Sequence, residues 1–175
     1  MSHSNRTIIA IAFHSCYGHT AVVAEAVARG AARAGAEVVS ISVNTVTDEQ
    51  WAQLDVADAI TFGAATYMGT ASAGFTNSGA KSGDKSSTLG YFATLAAQHG
   101  MHWISLGLMP GRDSTTGSED DIDRLGFFMG AGAQSPTDAG PEAVHTSDIA
   151  TAEHLGARVA RQAAVFRAGR AALAA

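Results

Sequence analysis

The sequence is poor in cysteine, in positive charge and in long apolar runs, and each shortage excludes a class of protein. Cys16 is the one cysteine in 175 residues, which excludes an internal disulfide framework and a cysteine-based metal cluster. No apolar run approaches the ~20 residues of a membrane-spanning helix. The net charge of −5 argues against a nucleic-acid surface. With 46% hydrophobic residues, the chain is long enough to bury a full core, and we expect a single domain over residues 1–175.

Two common phosphate-binding motifs, G-x-x-x-x-G-K-[ST] and G-x-G-x-x-G, are absent from the first turn, yet this turn has the properties of an anion site. An apolar run over 8–13 predicts a buried strand, and from Thr20 onward the apolar residues recur at helical spacing. A strand that leads directly into a helix places backbone N–H groups and the positive end of the helix dipole at the turn. Ser15 and Thr20 add hydroxyl groups, Gly18 permits close approach to the backbone, and no lysine or arginine is present.

Strand and helix patterns alternate along the rest of the chain, which predicts an α/β fold with a doubly wound parallel sheet. A capping box is predicted at Thr47 and Gln50, and Gly35 is expected to end the first helix. Any of Ser86, Ser87 and Thr88 could cap a later helix. The predicted strands are 7–13, 37–43, 59–63, a run beginning near 74, and 101–108, and the predicted helices are 18–34, 48–54, 88–99 and 147–168.

The first turn, S-C-Y-G-H-T over 15–20, resembles the phosphate loop of flavodoxin-like proteins and is most similar to that of WrbA-type NAD(P)H:quinone oxidoreductases. Residues 63–70 resemble the loop that wraps the isoalloxazine ring in that family, although Ala65 stands where the family usually has proline. Residues 74–85 resemble the third flavin loop, and residues 130–135 resemble a segment near the cofactor mouth. In some members a histidine at a helix end approaches the flavin, and here its counterpart is Gln98 or His99. The resemblance implies that FMN is bound by Ser15, Cys16, Tyr17, Gly18, His19, Thr20, Thr66, Tyr67, Met68, Gly69, Asn77, Ser78, Gly79, Gly83 and one of Gln98 and His99.

The resemblance implies a flavodoxin-like sheet of order 2-1-3-4-5 and a ping-pong, two-electron NAD(P)H:quinone oxidoreductase. It also implies NAD(P)H as co-substrate, a quinone as substrate and a homo-oligomer, either dimer or tetramer. FMN would supply the redox chemistry, so no side chain need act as an acid or base. A metal site at His99 and His102 is not expected, because no third ligand is evident. We expect a cytoplasmic protein.

Two other functions remain open from the sequence. One is a flavodoxin-type one-electron carrier that docks on redox proteins. Carriers tend to be strongly acidic around the flavin, whereas the acidic residues here are scattered. The other is a flavin-free scaffold or partner-binding protein, in which the phosphate loop would be vestigial.

The connection between the third and fourth strands is unusually short. Adjacent parallel strands need a crossover of about a dozen residues or more, usually a helix, and residues 66–73 are too few to provide one. Either the chain lacks this helix, or a stretch is missing from the sequence between Ala73 and Gly74. We favour a missing stretch, because a true deletion is expected to leave the fourth strand unable to pair in parallel.

Overall fold

The structure, a computed structural model, describes residues 6–63 and 71–174. Strands and helices alternate along the first part of the chain, as the sequence predicts. The strands are β1 (Ile8–Phe13), β2 (Glu37–Ser42), β3 (Ala59–Gly63), β4 (Ala71–Ser78), β5 (His102–Trp103) and β6 (Ala131–Gln134), and the helices are α1 (His19–Arg33), α2 (Asp48–Asp55), α3 (Lys85–Gln98) and α4 (Thr146–Leu173). A 3-10 turn, Pro141–Ala143, lies shortly before α4.

The sheet is parallel, and its order β2-β1-β3-β4-β5 confirms the predicted flavodoxin-like arrangement. β5 pairs with the first residues of β4, and β6 pairs with the last, so both occupy the same edge position. Residues 104–130 form an insertion between them. The prediction of one continuous strand over 101–108 is therefore wrong. β6 has the sequence A-G-A-Q, whose small residues give no strand signal.

Both faces of the sheet are buried, because helices pack on each. Ile9 and Ile11 of β1 point to the face covered by α1 and α4. Ala10 and Ala12 point to the opposite face, which α2 and α3 cover. Side chains alternate along a strand, so burial on both sides requires the continuous apolar run that this sequence shows over 8–13.

Helices α1 and α4 approach each other closely through two glycines. A Cβ atom at Gly30 would lie 1.9 Å from the carbonyl oxygen of Glu153, and one at Gly156 would lie 1.9 Å from the carbonyl oxygen of Val27. The Glu153 carboxylate also accepts hydrogen bonds from Arg29 and Arg33 on α1. Because α1 begins at the predicted phosphate turn, this contact fixes the turn relative to the sheet.

Two predicted helix ends are confirmed. α1 ends at Arg33 with Ala34 as its C-cap, and Gly35 follows with a left-handed φ of 89°, so that the N–H of Ala36 donates to the carbonyl oxygen of Ala31. At the start of α2, the Thr47 hydroxyl accepts from the N–H of Gln50, and the Gln50 side chain accepts from the N–H of Thr47. This reciprocal pair is the capping box that the sequence predicts.

Helix α3 begins at Lys85, three residues before its predicted start. Gly83 and Asp84 both have left-handed φ angles, 39° and 56°, and these turn the chain into the helix. The predicted hydroxyl cap at 86–88 is therefore wrong, because these residues lie in the first helical turn and Asp84 makes no side-chain cap.

The connection from β3 to β4 differs from the expectation. Ala73 and Gly74 are consecutive residues of β4 and pair with Thr61 and Phe62 of β3, and the missing stretch stays a prediction. β4 also pairs in parallel with β3, with Ile60 beside Ser72, although only residues 64–70 separate the strands. The expectation that strand four could not pair in parallel is wrong. Residues 64–70, which connect the two strands, lie outside the described residues.

The last helix runs from Thr146 to Leu173 and extends five residues beyond its predicted end at 168. Its apolar stripe includes Leu155 and Val159, which are fully buried against α1 and the sheet. In the part of the chain that the structure describes, no helix has the length and apolar character needed to cross a membrane.

Candidate functional site

A cavity of about 360 Å³ opens where β1, β4 and β6 end. This is the carboxyl edge of the sheet, where ligands bind in open α/β folds. Three segments form its walls: the turn after β1, the end of β4 and the residues after β6. The lining residues are His14, Ser15, Cys16, Tyr17, His19, Thr20, Asn77, Ser78, Gly79, Ser135 and Thr137.

The turn after β1 exposes backbone donors at the start of α1. Gly18 precedes the helix with a φ of 85°, a left-handed conformation that favours glycine. The first N–H groups of a helix have no intrahelical acceptor. Here the Ser15 hydroxyl accepts from the N–H of Ala21 at 3.2 Å. Within the described residues, the N–H groups of His19 and Thr20 have no acceptor. They remain available to an anion, together with the hydroxyl groups of Ser15 and Thr20.

The segment before α4 supports this turn from behind. The His19 ring nitrogen Nε2 donates to the carbonyl oxygen of Ala139 at 3.0 Å. A Cβ atom at Gly18 would lie 2.7 Å from Cγ of Pro141. The imidazole of His19 is therefore bound to the protein, and its backbone N–H is what it offers the cavity.

His14, at the end of β1, joins two neighbouring side chains. Its Nδ1 lies 2.5 Å from Oδ1 of Asn44, and its Nε2 lies 3.0 Å from Sγ of Cys16. An amide oxygen only accepts, so Nδ1 carries the proton and Nε2 accepts from the thiol. These contacts fix the side chain of Cys16, a free and exposed cysteine, at one side of the cavity.

The end of β4 is held by β6 and the residues that follow it. Nδ2 of Asn77 donates to the Ser135 hydroxyl at 3.0 Å, and this hydroxyl in turn donates to Oδ1 of Asn77. The side-chain amide of Gln134 donates to the carbonyl oxygen of Gly79 at 3.0 Å. Two walls of the cavity are thus joined by side-chain hydrogen bonds in addition to the strand pairing.

A network of charged side chains connects the insertion to the turn after β4. Glu119 accepts from Lys81 at 2.6 Å and from Arg124 at 2.7 Å. These two hydrogen bonds lower the pKa of Glu119 to about 2. Arg124 also donates to both carboxylate oxygens of Asp148, which is buried and accepts from the N–H of Gln134. The insertion is therefore tied to α4, to β6 and to the turn that contains Lys81.

The described side chains that line the cavity carry no lysine, arginine or carboxylate charge. An anion held here would be bound by N–H and O–H donors and by the dipole of α1. Among the described residues, no group of three histidine, cysteine, aspartate or glutamate side chains is placed to hold a metal ion.

The structure brings many of the predicted FMN-binding residues to one cavity, but not all. Gly18 lies within the turn and does not line the cavity, and Gly83 lies behind the wall, against Ser78. Gln98 and His99 lie at the end of α3, beside the amino ends of the strands and away from the cavity. Thr66, Tyr67, Met68 and Gly69 lie outside the described residues. The predicted residues that line the cavity are Ser15, Cys16, Tyr17, His19, Thr20, Asn77, Ser78 and Gly79.

Two lining residues are not among the predicted binding residues. His14 stands directly before the phosphate turn, and its role depends on Asn44, which is distant in sequence. Thr137 lies in the long segment between the predicted strand and the last helix, and nothing local marks it. A third, Ser135, is predicted only as part of the segment over 130–135, and its position beside Asn77 depends on β6.

Comparison with known proteins identifies the family. The flavodoxin family profile matches residues 11–97, from β1 to the end of α3. Flavodoxin FldP of Pseudomonas aeruginosa (strain UCBPP-PA14) is 38% identical over 175 positions, which cover 86% of this chain and 94% of the relative. The chain belongs to the flavodoxin family.

Solved structures agree with this flavodoxin's fold. A flavodoxin from the domain Archaea superposes with a TM-score of 0.59 at 17% identity, covering 90% of this chain and 99% of the other. Oxidised flavodoxin 2 from Bacillus cereus superposes with a TM-score of 0.57 at 14% identity, covering 89% of this chain and 99% of the other. At such identities the likeness concerns the fold alone.

The prediction of an NAD(P)H:quinone oxidoreductase is wrong, because the named relative at 38% identity is a flavodoxin. The phosphate-turn motif could not make this distinction. It reports how a phosphate is bound at the start of α1, which is common to flavodoxin-like proteins of different function. NAD(P)H as co-substrate is likewise unsupported, and the quinone substrate and the oligomeric state remain predictions.

Proposed function

We propose that this flavodoxin binds FMN in the cavity at the carboxyl edge of the sheet and carries single electrons between redox proteins. The family membership supports FMN as the cofactor. The observation that carries the proposal is the turn after β1, where unpaired N–H groups of His19 and Thr20 meet two hydroxyl groups at the start of a helix. This donor set suits a terminal phosphate.

The remaining walls fit the rest of the cofactor. The cavity volume of about 360 Å³ is within the range of small-molecule sites. Asn77, Ser78 and Gly79 would hold the ring end, and Ser135 keeps Asn77 in place through its hydroxyl group. Tyr17, 84% exposed at the rim, is free to lie against the ligand. The residues present therefore fit FMN.

The chain's own residues would bind and orient the cofactor, and FMN when bound supplies the electron-transfer chemistry. The phosphate end would be fixed by the turn over 15–20, whose position depends on α1 and on Pro141 behind it. Direct electron exchange with a docked protein would require one edge of the bound flavin to stay accessible.

The test compares FMN with riboflavin, which lacks the phosphate. The chain should bind FMN much more tightly than riboflavin, and Thr20→Ala should weaken FMN binding by about 1.5–3 kcal/mol, the value of a hydrogen bond to a charged group. Riboflavin binding should not change in this variant. The measurement is quenching of flavin fluorescence on titration with flavin-free protein.

Two results would contradict the proposal. Equal affinity for FMN and riboflavin would place the phosphate outside this turn. A chain that folds but binds neither ligand would favour the flavin-free scaffold.

A further inference from the structure

The turn that follows β4 is built around a buried ammonium group. The side chain of Lys85, the first residue of α3, is fully buried. Its Nζ donates to the Ser78 hydroxyl at 2.6 Å and to the carbonyl oxygens of Ala80 at 2.5 Å and Lys81 at 3.1 Å. All three protons of the ammonium are thus used to close the turn from 78 to 85.

The acceptors of this ammonium are neutral. Asp148, the acidic residue that acts on it most, already accepts two hydrogen bonds from Arg124. Burial accordingly lowers the pKa of Lys85. A buried charge without a carboxylate partner costs more free energy than an apolar side chain of the same length. Stability alone therefore does not explain a lysine at this position.

The turn is shaped so that the ammonium can reach its acceptors. A Cβ atom at Gly83 would lie 2.1 Å from the Ser78 hydroxyl oxygen, so only glycine leaves room for the contact. The Ser78 hydroxyl accepts from Lys85 and donates to the carbonyl oxygen of Ala80 at 3.2 Å. Its proton is therefore committed to the turn. What Ser78 and Gly79 offer the cavity is their backbone.

We propose that Lys85 is a positioning residue of the cofactor site, which holds the backbone of Ser78 and Gly79 in the shape that FMN binds and places a buried positive charge behind the cavity wall. This inference rests on the proposed function. The positive charge of Lys85 stabilises the redox state of the bound cofactor that carries more negative charge. Lys85 should therefore support binding of the reduced cofactor more than binding of the oxidised one.

The test replaces Lys85 with methionine, which keeps the length of the chain and removes the charge. Lys81→Met is the matched control, because it removes the same charge from the same turn but its side chain is 55% exposed and pairs with Glu119. The measurements are the dissociation constant of oxidised FMN, the midpoint potential of the FMN complex, and hydrogen exchange of the amides over 79–84 in the flavin-free protein.

We expect Lys85→Met to lower the affinity for oxidised FMN at least tenfold and to speed amide exchange over 79–84 in the flavin-free protein. The affinity for the one-electron-reduced cofactor should fall tenfold more than the affinity for oxidised FMN. This difference lowers the potential of the first one-electron step by about 59 mV. Lys81→Met should change the FMN affinity and the amide exchange rates by no more than about twofold. The midpoint potential of this variant should equal that of the parent.

Gly83→Ala provides a second route to the same result if Lys85→Met does not fold. It disturbs the contact with Ser78 while the charge stays, so affinity should fall with a smaller shift in potential. Parent-like affinity and potential in Lys85→Met, or parent-like affinity in Gly83→Ala, would overturn the proposal. If the parent itself binds no FMN, the proposed function fails. The exchange measurement then still decides whether Lys85 holds the turn.

Discussion

At the scale of single residues, the site depends on a glycine that no other residue can replace. Gly18 has a left-handed φ of 85°, and a side chain there would also meet Pro141. The same residue is followed directly by the two N–H donors of His19 and Thr20. A substitution therefore disturbs the backbone from which the anion-binding donors project.

We expect Gly18→Val to abolish FMN binding, as measured by fluorescence titration. Gly35→Val is the matched control, because Gly35 lies at the other end of the same helix with a similar φ of 89°, and a Cβ atom there would have nothing within 4 Å. This control should lose stability and still bind FMN. Equal FMN affinity in Gly18→Val and the parent would show that the phosphate site lies elsewhere.

Residues differ in how far their local sequence predicts their role. The turn over 15–20 could be predicted because a strand, a short polar turn and a helix follow one another without interruption. Lys85 could not be predicted, because a lysine at the start of a helix ordinarily faces solvent. Its burial depends on the turn over 79–84 and on β6, which packs Gly132 against its aliphatic chain.

At the scale of elements, the contact between α1 and α4 determines where the phosphate turn lies. Gly156 places α4 directly against the backbone of α1, since a Cβ atom there would lie 1.9 Å from the carbonyl oxygen of Val27. Backbone atoms cannot move aside as the end of a flexible side chain can. The two helices would have to separate to accept any larger residue.

Gly156→Ala should therefore lower the free energy of unfolding by about 1–3 kcal/mol or more, as overpacking of a tight contact does. Gly169→Ala in the same helix has nothing within 4 Å and should raise it by roughly 0.5–1 kcal/mol through helix propensity. Urea unfolding of both variants measures the difference. A stability loss of the same size in both variants would contradict the close contact.

The insertion over 104–130 is held by charge, and its attachment should depend on pH. The pKa of Glu119 is lowered from 4.5 to about 2 by hydrogen bonds from Lys81 and Arg124. A carboxylate with a lowered pKa in the folded state stabilises the protein above its unfolded pKa, and this contribution is lost as pH falls towards the folded pKa.

We expect Glu119→Gln to be less stable than the parent at neutral pH, with a difference that shrinks as pH falls from 4.5 towards 2. Urea unfolding at a series of pH values measures it. Asp113→Asn, which removes an exposed carboxylate from the same insertion, serves as the control. A difference between Glu119→Gln and the parent that stays constant over this pH range would show that the stabilisation does not depend on the ionised Glu119 carboxylate.

Elements with a strong local signal were predicted well, and those that depend on pairing were not. β3 and the capping box of α2 agree with the sequence prediction residue by residue. β6 and the insertion were missed, because the edge position beside β4 is filled by two short strands that are distant in sequence. Only the pairing with β4 shows that both belong to one edge.

At the scale of the whole molecule, two helical layers enclose a parallel sheet whose carboxyl edge holds the cavity. The sequence predicted this architecture and the cofactor class, because alternating patterns and a helix-start phosphate turn are local features. It did not predict the type of electron transfer. That property depends on which molecule exchanges electrons with the bound cofactor, and the motif at 15–20 carries no information about this molecule.

The most direct measurement of the central claim is an anaerobic potentiometric titration of the FMN-loaded protein, followed by its visible spectrum. We expect two separate one-electron steps, and slow reduction by NADPH unless a reductase is added. A single two-electron step with rapid reduction by NADPH alone and reoxidation by benzoquinone would contradict an electron carrier.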